Sequence, residues 1–127
     1  MGYYPIKLRA TDTNYSRYIR EKAGQKCEIC KPSDVNPDAK LECAHFHSRR
    51  HEITRFDDSN CYALCFNHHK QSHDSDDTTF KDFVYNKLGK KKFELLEFLH
   101  NQTKKRDDFI DKLIIKEKLK SVGLEWK

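Results

Sequence analysis

The chain has 127 residues, 36% of them hydrophobic and 35% charged, with a formal net charge of +5. That is enough for one domain and too little apolar material for a big core, so a bound metal or a partner copy is the expected reinforcement. The longest apolar runs, such as Leu113-Ile114-Ile115, are far too short to span a bilayer, and no basic stretch followed by an apolar one opens the sequence, so neither a membrane span nor a secretory signal is expected.

Cysteines stand at 27, 30, 43, 61 and 65. An odd number without an export signal argues against a disulfide framework, and a reduced chain with a Cys-x-x-Cys pair more often binds metal or does redox chemistry. The expected setting is the cytoplasm. The basic balance, with a pI near 8.9 and a mean hydropathy of -0.97, fits a nucleic-acid partner without requiring one.

Residues 1–11 show no periodicity and read as an irregular arm. Asp12 or Thr13 can cap a helix over residues 14–23, with Tyr15, Tyr18 and Ile19 on one side and Gly24 as the residue that ends it. The Cys27-Glu28-Ile29-Cys30 knuckle follows, then a turn-rich stretch over residues 31–38 containing Pro32 and Pro37. Residues 39–46 alternate loosely as a short strand, 47–59 form a polar loop, and 60–64 read as a second strand. From Cys65 a helix carries His68, His69 and His73. Beyond residue 77 three apolar stripes at helical spacing follow: Phe80, Phe83, Val84 and Leu88, ending at Gly89; Phe93, Leu95, Leu96, Phe98 and Leu99; and Phe109, Ile110, Leu113 and Ile114. The expected organisation is a core over residues 1–77 and a helical extension over 78–127 packed on it.

Zinc prefers four thiolate or imidazole ligands in a tetrahedron, usually supplied by two short-spaced pairs. Cys27-x-x-Cys30 is one pair, and Cys65-Phe66-Asn67-His68 is a Cys-x-x-His pair of the same spacing. Cys61 competes for the fourth place, but as a strand residue it is expected, like Cys43, to be buried.

Between the two pairs stand residues suited to phosphodiester hydrolysis, which needs a base to activate water and a divalent metal to hold the phosphate. His45 ends the first strand. Asn60 opens the second and can hold the intervening loop by side-chain to backbone hydrogen bonds. His69 and His73, four apart on one helix, project from the same face and suit two ligands of one ion. His47, two residues beyond His45, shares its side if the strand continues and stays open as an alternative base or phosphate contact.

The order Glu42-Cys43-Ala44-His45-Phe46, then Asn60-Cys61-Tyr62-Ala63-Leu64-Cys65, then His68-His69-Lys70 resembles the HNH nucleases. Within that class the chain looks most like the NinG/Rap recombination endonucleases of lambdoid phages, through Tyr15–Arg20, the Ala44–Glu52 loop and Thr54–Asp57, and more weakly through Phe93–Glu97. The resemblance implies an α+β fold with a small ββα-metal (His-Me finger) core, a structural zinc knuckle, an N-terminal helix and a C-terminal helical extension. It also implies cutting of branched or recombination-intermediate DNA in the host cytoplasm, with His45, Asn60 and His69 as the catalytic set and Mg²⁺ or Mn²⁺ on His69 and His73. Many HNH enzymes carry a metal ligand immediately before the catalytic histidine; here Ala44 stands there.

Arg49, Arg50 and Arg55, with His47, lie in or beside the loop and are expected to contact DNA, since guanidinium forks match phosphate oxygens. No motif reads base edges, so shape rather than sequence is the expected basis of recognition. The helical stripes leave a homodimer open. The competing readings are a non-catalytic zinc-knuckle DNA-binding protein and a homing or nicking HNH endonuclease.

Overall fold

Alternation along two short strands sorts their side chains into two separate cores, one on each face of the sheet. The computed structural model describes residues 6–35 and 39–127. Strand β1 (Leu41–His45) pairs antiparallel with β2 (Cys61–Cys65), with Leu41 opposite Cys65 and His45 opposite Cys61. Cys43, Cys61 and Ala63 pack against α1 (Ala10–Lys22) and α4 (Asp108–Ser121). Ala44, Tyr62 and Leu64 pack against α3 (Thr79–His100). A short helix, α2 (Phe66–Gln71), follows β2 directly. The result is a mixed α+β fold in which a two-stranded sheet lies between helical layers.

The arm expected over residues 1–11 is described only from Ile6, and Pro37 and Asp38 of the turn-rich stretch lie outside the described residues. Helix α1 starts four residues earlier than expected. Asp12 sits inside the first turn, where its Oδ2 accepts from the Arg9 backbone N–H at 2.8 Å, so it caps from the third helical position. Gly24, at φ +69°, follows the end of the helix as its composition suggests. Gly89, at φ +79° and ψ 165°, interrupts α3 between two arms that carry the first and second apolar stripes.

The third stripe is placed differently from the expectation. Phe109, Ile110, Leu113 and Ile114 are exposed, and α4 buries Asp111, Ile115 and Leu119 instead, one step around the helix. The cause lies in a distant contact. Asp58, in the loop before β2, accepts from Tyr15 Oη, Tyr18 Oη and Lys118 Nζ, each at 2.7 Å. This hub fixes the rotation of α4 on α1 and turns Ile115 and Leu119 toward Tyr15, Tyr18 and Ile19. Among the described residues, no helix is long and apolar enough to cross a membrane.

Candidate functional site

Cys27, Cys30, Cys65 and His68 converge, and the cluster can hold a metal ion such as zinc. His68 Nδ1 lies 3.4 Å from Cys27 Sγ, 3.4 Å from Cys30 Sγ and 3.3 Å from Cys65 Sγ, while the Cys30 and Cys65 sulfurs are 3.8 Å apart. A tetrahedral zinc ion has ligand–ligand edges of about 3.8 Å between sulfurs and about 3.5 Å between sulfur and nitrogen. The donor set therefore matches zinc in both type and spacing. Burial pushes the Cys27 thiol up, but backbone N–H groups of Cys65, Cys30 and Ile29 and the contact with His68 outweigh it and hold the pKa at about 7. Burial and the two neighbouring thiols push Cys30 the other way, to about 12. Crowded sulfurs that resist sharing negative charge are the arrangement a cation relieves.

Long-range backbone contacts put the knuckle there. The Glu28 N–H donates to the Ala63 carbonyl at 2.9 Å, and the Ala63 N–H donates to Glu28 Oε2 at 2.7 Å. Cys43 and Cys61 are buried in the opposite core, away from the four-ligand cluster.

His45 stands at the end of β1 on the α1 side of the sheet, grouped with Cys43 and Cys61. Its Nε2 is 2.8 Å from the Arg55 carbonyl oxygen. A carbonyl only accepts, so Nε2 carries the proton and the lone pair is on Nδ1. That Nδ1 is shut off from solvent and has no hydrogen-bond partner. Burial, reinforced by the charge of Arg49, lowers the His45 pKa to about 4, so the ring is neutral at pH 7.

Asn60 is fully buried and holds the loop that follows His45. Its Oδ1 accepts from the His47 N–H at 2.7 Å, and its Nδ2 donates to the carbonyls of His47 at 2.9 Å and Thr54 at 3.1 Å. Replacing Asn60 with alanine strands all three backbone groups, and a stability loss of about 2–3 kcal/mol is expected in urea denaturation. A loss below about 1 kcal/mol would show that the loop holds without the clamp.

His47 parts from His45. The strand ends at His45, so alternation no longer governs the next residues, and His47 turns to α3, where its Nε2 meets Glu97 Oε1 at 2.8 Å. His69 and His73 lie elsewhere again. His69 Nδ1 is 3.3 Å from Glu42 Oε1, and its ring centroid is 5.2 Å from that of His73, which stands beyond the end of α2. Glu42 alternates with Cys43 and so belongs to the sheet face opposite that of His45. Among the described residues, His69 and His73 join no group of three converging donors. The structure does not bring His45 and the His69–His73 pair to one ion.

The arginines also divide. Arg55 is 3% exposed and turned inward: its guanidinium bonds both carboxylate oxygens of Asp12 and donates to the carbonyls of Arg49 and Lys7. It fastens the loop to α1. Arg49, 3.7 Å from Asp12, and Arg50 line, with part of Arg55, a cleft of about 710 Å³ together with Lys7, Arg106, Lys112 and Trp126.

Sequence reasoning did not single out Glu28, Glu42 or His100, and it placed Glu97 only within a run of weak resemblance. The Glu97-x-x-His100 spacing, three apart on a helix, was the available signal for the latter two. Comparison with protein-family models, curated proteins and solved structures gives no match.

Proposed function

We propose that the chain is a divalent-metal-dependent DNA endonuclease of the HNH type, with a ββα core held by a structural zinc ion, acting on branched or recombination-intermediate DNA such as arises in phage recombination. The observation that carries this reading is the loop after β1. It begins at a neutral histidine with an unshared lone pair, is clamped by a buried asparagine, and borders an arginine-lined cleft.

Cys27, Cys30, Cys65 and His68 would give zinc four protein ligands, so the ion would hold the frame rather than take part in cutting. Arg49 and Arg50, with Lys7 and Lys112 around the same cleft, supply positive charge for the DNA backbone, while the cleft's carboxylates Glu52 and Asp108 pair with Arg9 and Arg106. In this reading His45 Nδ1, enclosed in the free protein, becomes the proton acceptor when DNA binding opens it to the attacking water, with the Arg55 carbonyl fixing its tautomer. A phosphate bound at Arg49 offsets the charge that depresses the His45 pKa and makes the imidazole a better base. A divalent ion, Mg²⁺ or Mn²⁺, supplies Lewis-acid stabilisation of the phosphate when bound. Among the described residues no third donor converges with His69 and His73, so the protein would offer that ion at most these two imidazoles, with water and phosphate completing its shell.

A second reading, a zinc-knuckle DNA-binding protein without activity, is favoured by the enclosure of His45 Nδ1. The two are separated by incubating the protein with four-way junction, flap and linear duplex DNA in Mg²⁺ or Mn²⁺, with chelator controls. Metal-dependent cutting of the branched substrates is expected. Binding without cutting under every condition would establish the second reading, and sequence-dependent nicking of plain duplex would instead point to a homing-type enzyme.

A further inference from the structure

Just after His45, the loop brings His47 and His51 against Glu97 and His100 of α3. His47 Nε2 is 2.8 Å from Glu97 Oε1. The His47 and His100 rings stack at 3.7 Å between centroids with 3° between their planes. One donor atom from each of His47, Glu97 and His100 lies within 4.8 Å of the others. His51 is at the rim, its ring centroid 5.0 Å from that of His100. His100 Nδ1 is shut off from solvent and lacks a hydrogen-bond partner.

We propose that His47, Glu97 and His100 form a second metal site, distinct from the cysteine cluster, that binds a borderline divalent transition-metal ion such as Zn²⁺ or Co²⁺. Two imidazoles and a carboxylate are the donor set of such ions, and they disfavour Mg²⁺, which takes oxygen ligands and water. Glu97 and His100 are three apart on one helix, so both project from the same face. The loop side is equally fixed, because Asn60 holds the His47 backbone at both N–H and carbonyl. An ion with nitrogen and oxygen ligands requires donor edges of about 3.4 Å, and because imidazole lone pairs lie in the ring plane, His47 and His100 would turn out of their parallel stack to face it. His51, its ring 6.3 Å from that of His47, lies outside the converging set, and binding displaces any proton shared between His47 and Glu97.

The site stands or falls independently of DNA cleavage, and its test is metal binding. Zinc is titrated calorimetrically into metal-free protein refolded with one equivalent of zinc, for the wild type and for Glu97→Gln and His100→Gln. The wild type is expected to take one further equivalent, and each variant to bind it at least about 100-fold more weakly, the upper end of what loss of even a supporting partner costs. Glu97 is partly exposed and glutamine preserves its volume, so that variant keeps the fold; the mid-point of thermal unfolding of the one-zinc form checks this. A wild type that saturates at one equivalent in total, or variants that bind the second as tightly as the wild type, would overturn the proposal. Co²⁺ gives a second readout on the unaltered chain. The second equivalent is expected to add weak ligand-field bands without new thiolate charge transfer, and new thiolate bands would place the ion at Cys43 and Cys61 instead.

Discussion

Replacing Cys27 with serine is expected to leave the chain without stoichiometric zinc and without a cooperative fold at 25 °C. Zinc contributes apparent binding free energies of about 10–16 kcal/mol in zinc-finger peptides, which equals or exceeds the roughly 5–15 kcal/mol total stability of an ordinary domain. Here the four ligands join the turn at Cys27–Cys30 to the end of β2 and the start of α2, adding to the two Glu28–Ala63 hydrogen bonds that link the turn to β2. The core on that side is built from few large residues, among them Tyr62, Leu64, Phe80, Val84 and Leu96, with Cys27 itself a member. Zinc content by mass spectrometry, together with circular dichroism of wild type and variant, tests the expectation. A zinc-free variant with the wild-type spectrum and a sharp unfolding transition would remove zinc from the account of stability.

The second large effect is expected at Arg55. Replacing it with leucine leaves Asp12 buried with its main partner gone, and breaking a buried pair from one side costs about 3–5 kcal/mol. Arg49, 3.7 Å from Asp12, compensates only in part. Adding Asp12→Asn to the variant removes the stranded charge and should restore some of the loss, which a double-mutant cycle in urea would measure. A single-variant loss below about 1 kcal/mol would show that the pair is not coupled to folding. The pH dependence has a defined sign. Burial raises the Asp12 pKa, but the Arg55 and Arg9 hydrogen bonds and the charges of Arg55 and Arg49 lower it more, so the folded value lies below 3.8. A depressed folded pKa gives stability that is present above the unfolded value and lost as pH falls through the folded one. Asp58, also lowered despite burial, by hydrogen bonds from Lys118, Tyr15 and Tyr18, acts in the same direction, so stability should fall on acidification below about pH 4.

The legible parts of the molecule were those encoded at short range. Two matched ligand pairs located the metal cluster, alternation placed both strands to within two residues, and Gly24 and Gly89 marked a helix end and a helix break. What escaped was set by contacts between distant segments. The face that α4 buries depends on Asp58, sixty residues before Lys118. The inward turn of Arg55 depends on Asp12, and the separation of His47 from His45 depends on Glu97 and His100 lying opposite the loop. Glu42 is a further case, since only the packing of α2 against β1 brings it to His69. None of these pairings leaves a local pattern, because each side chain alone is an ordinary polar residue.

The proposed role of His45 is tested most directly by single-turnover cleavage of junction DNA in Mn²⁺, comparing the wild type with His45→Ala at protein concentrations that saturate the DNA. Removal of a general base is expected to slow cutting by about 10²–10⁴-fold, with DNA affinity and zinc content unchanged. A His45→Ala variant that cuts within about threefold of the wild type, too small a change for a lost base, would contradict the assignment.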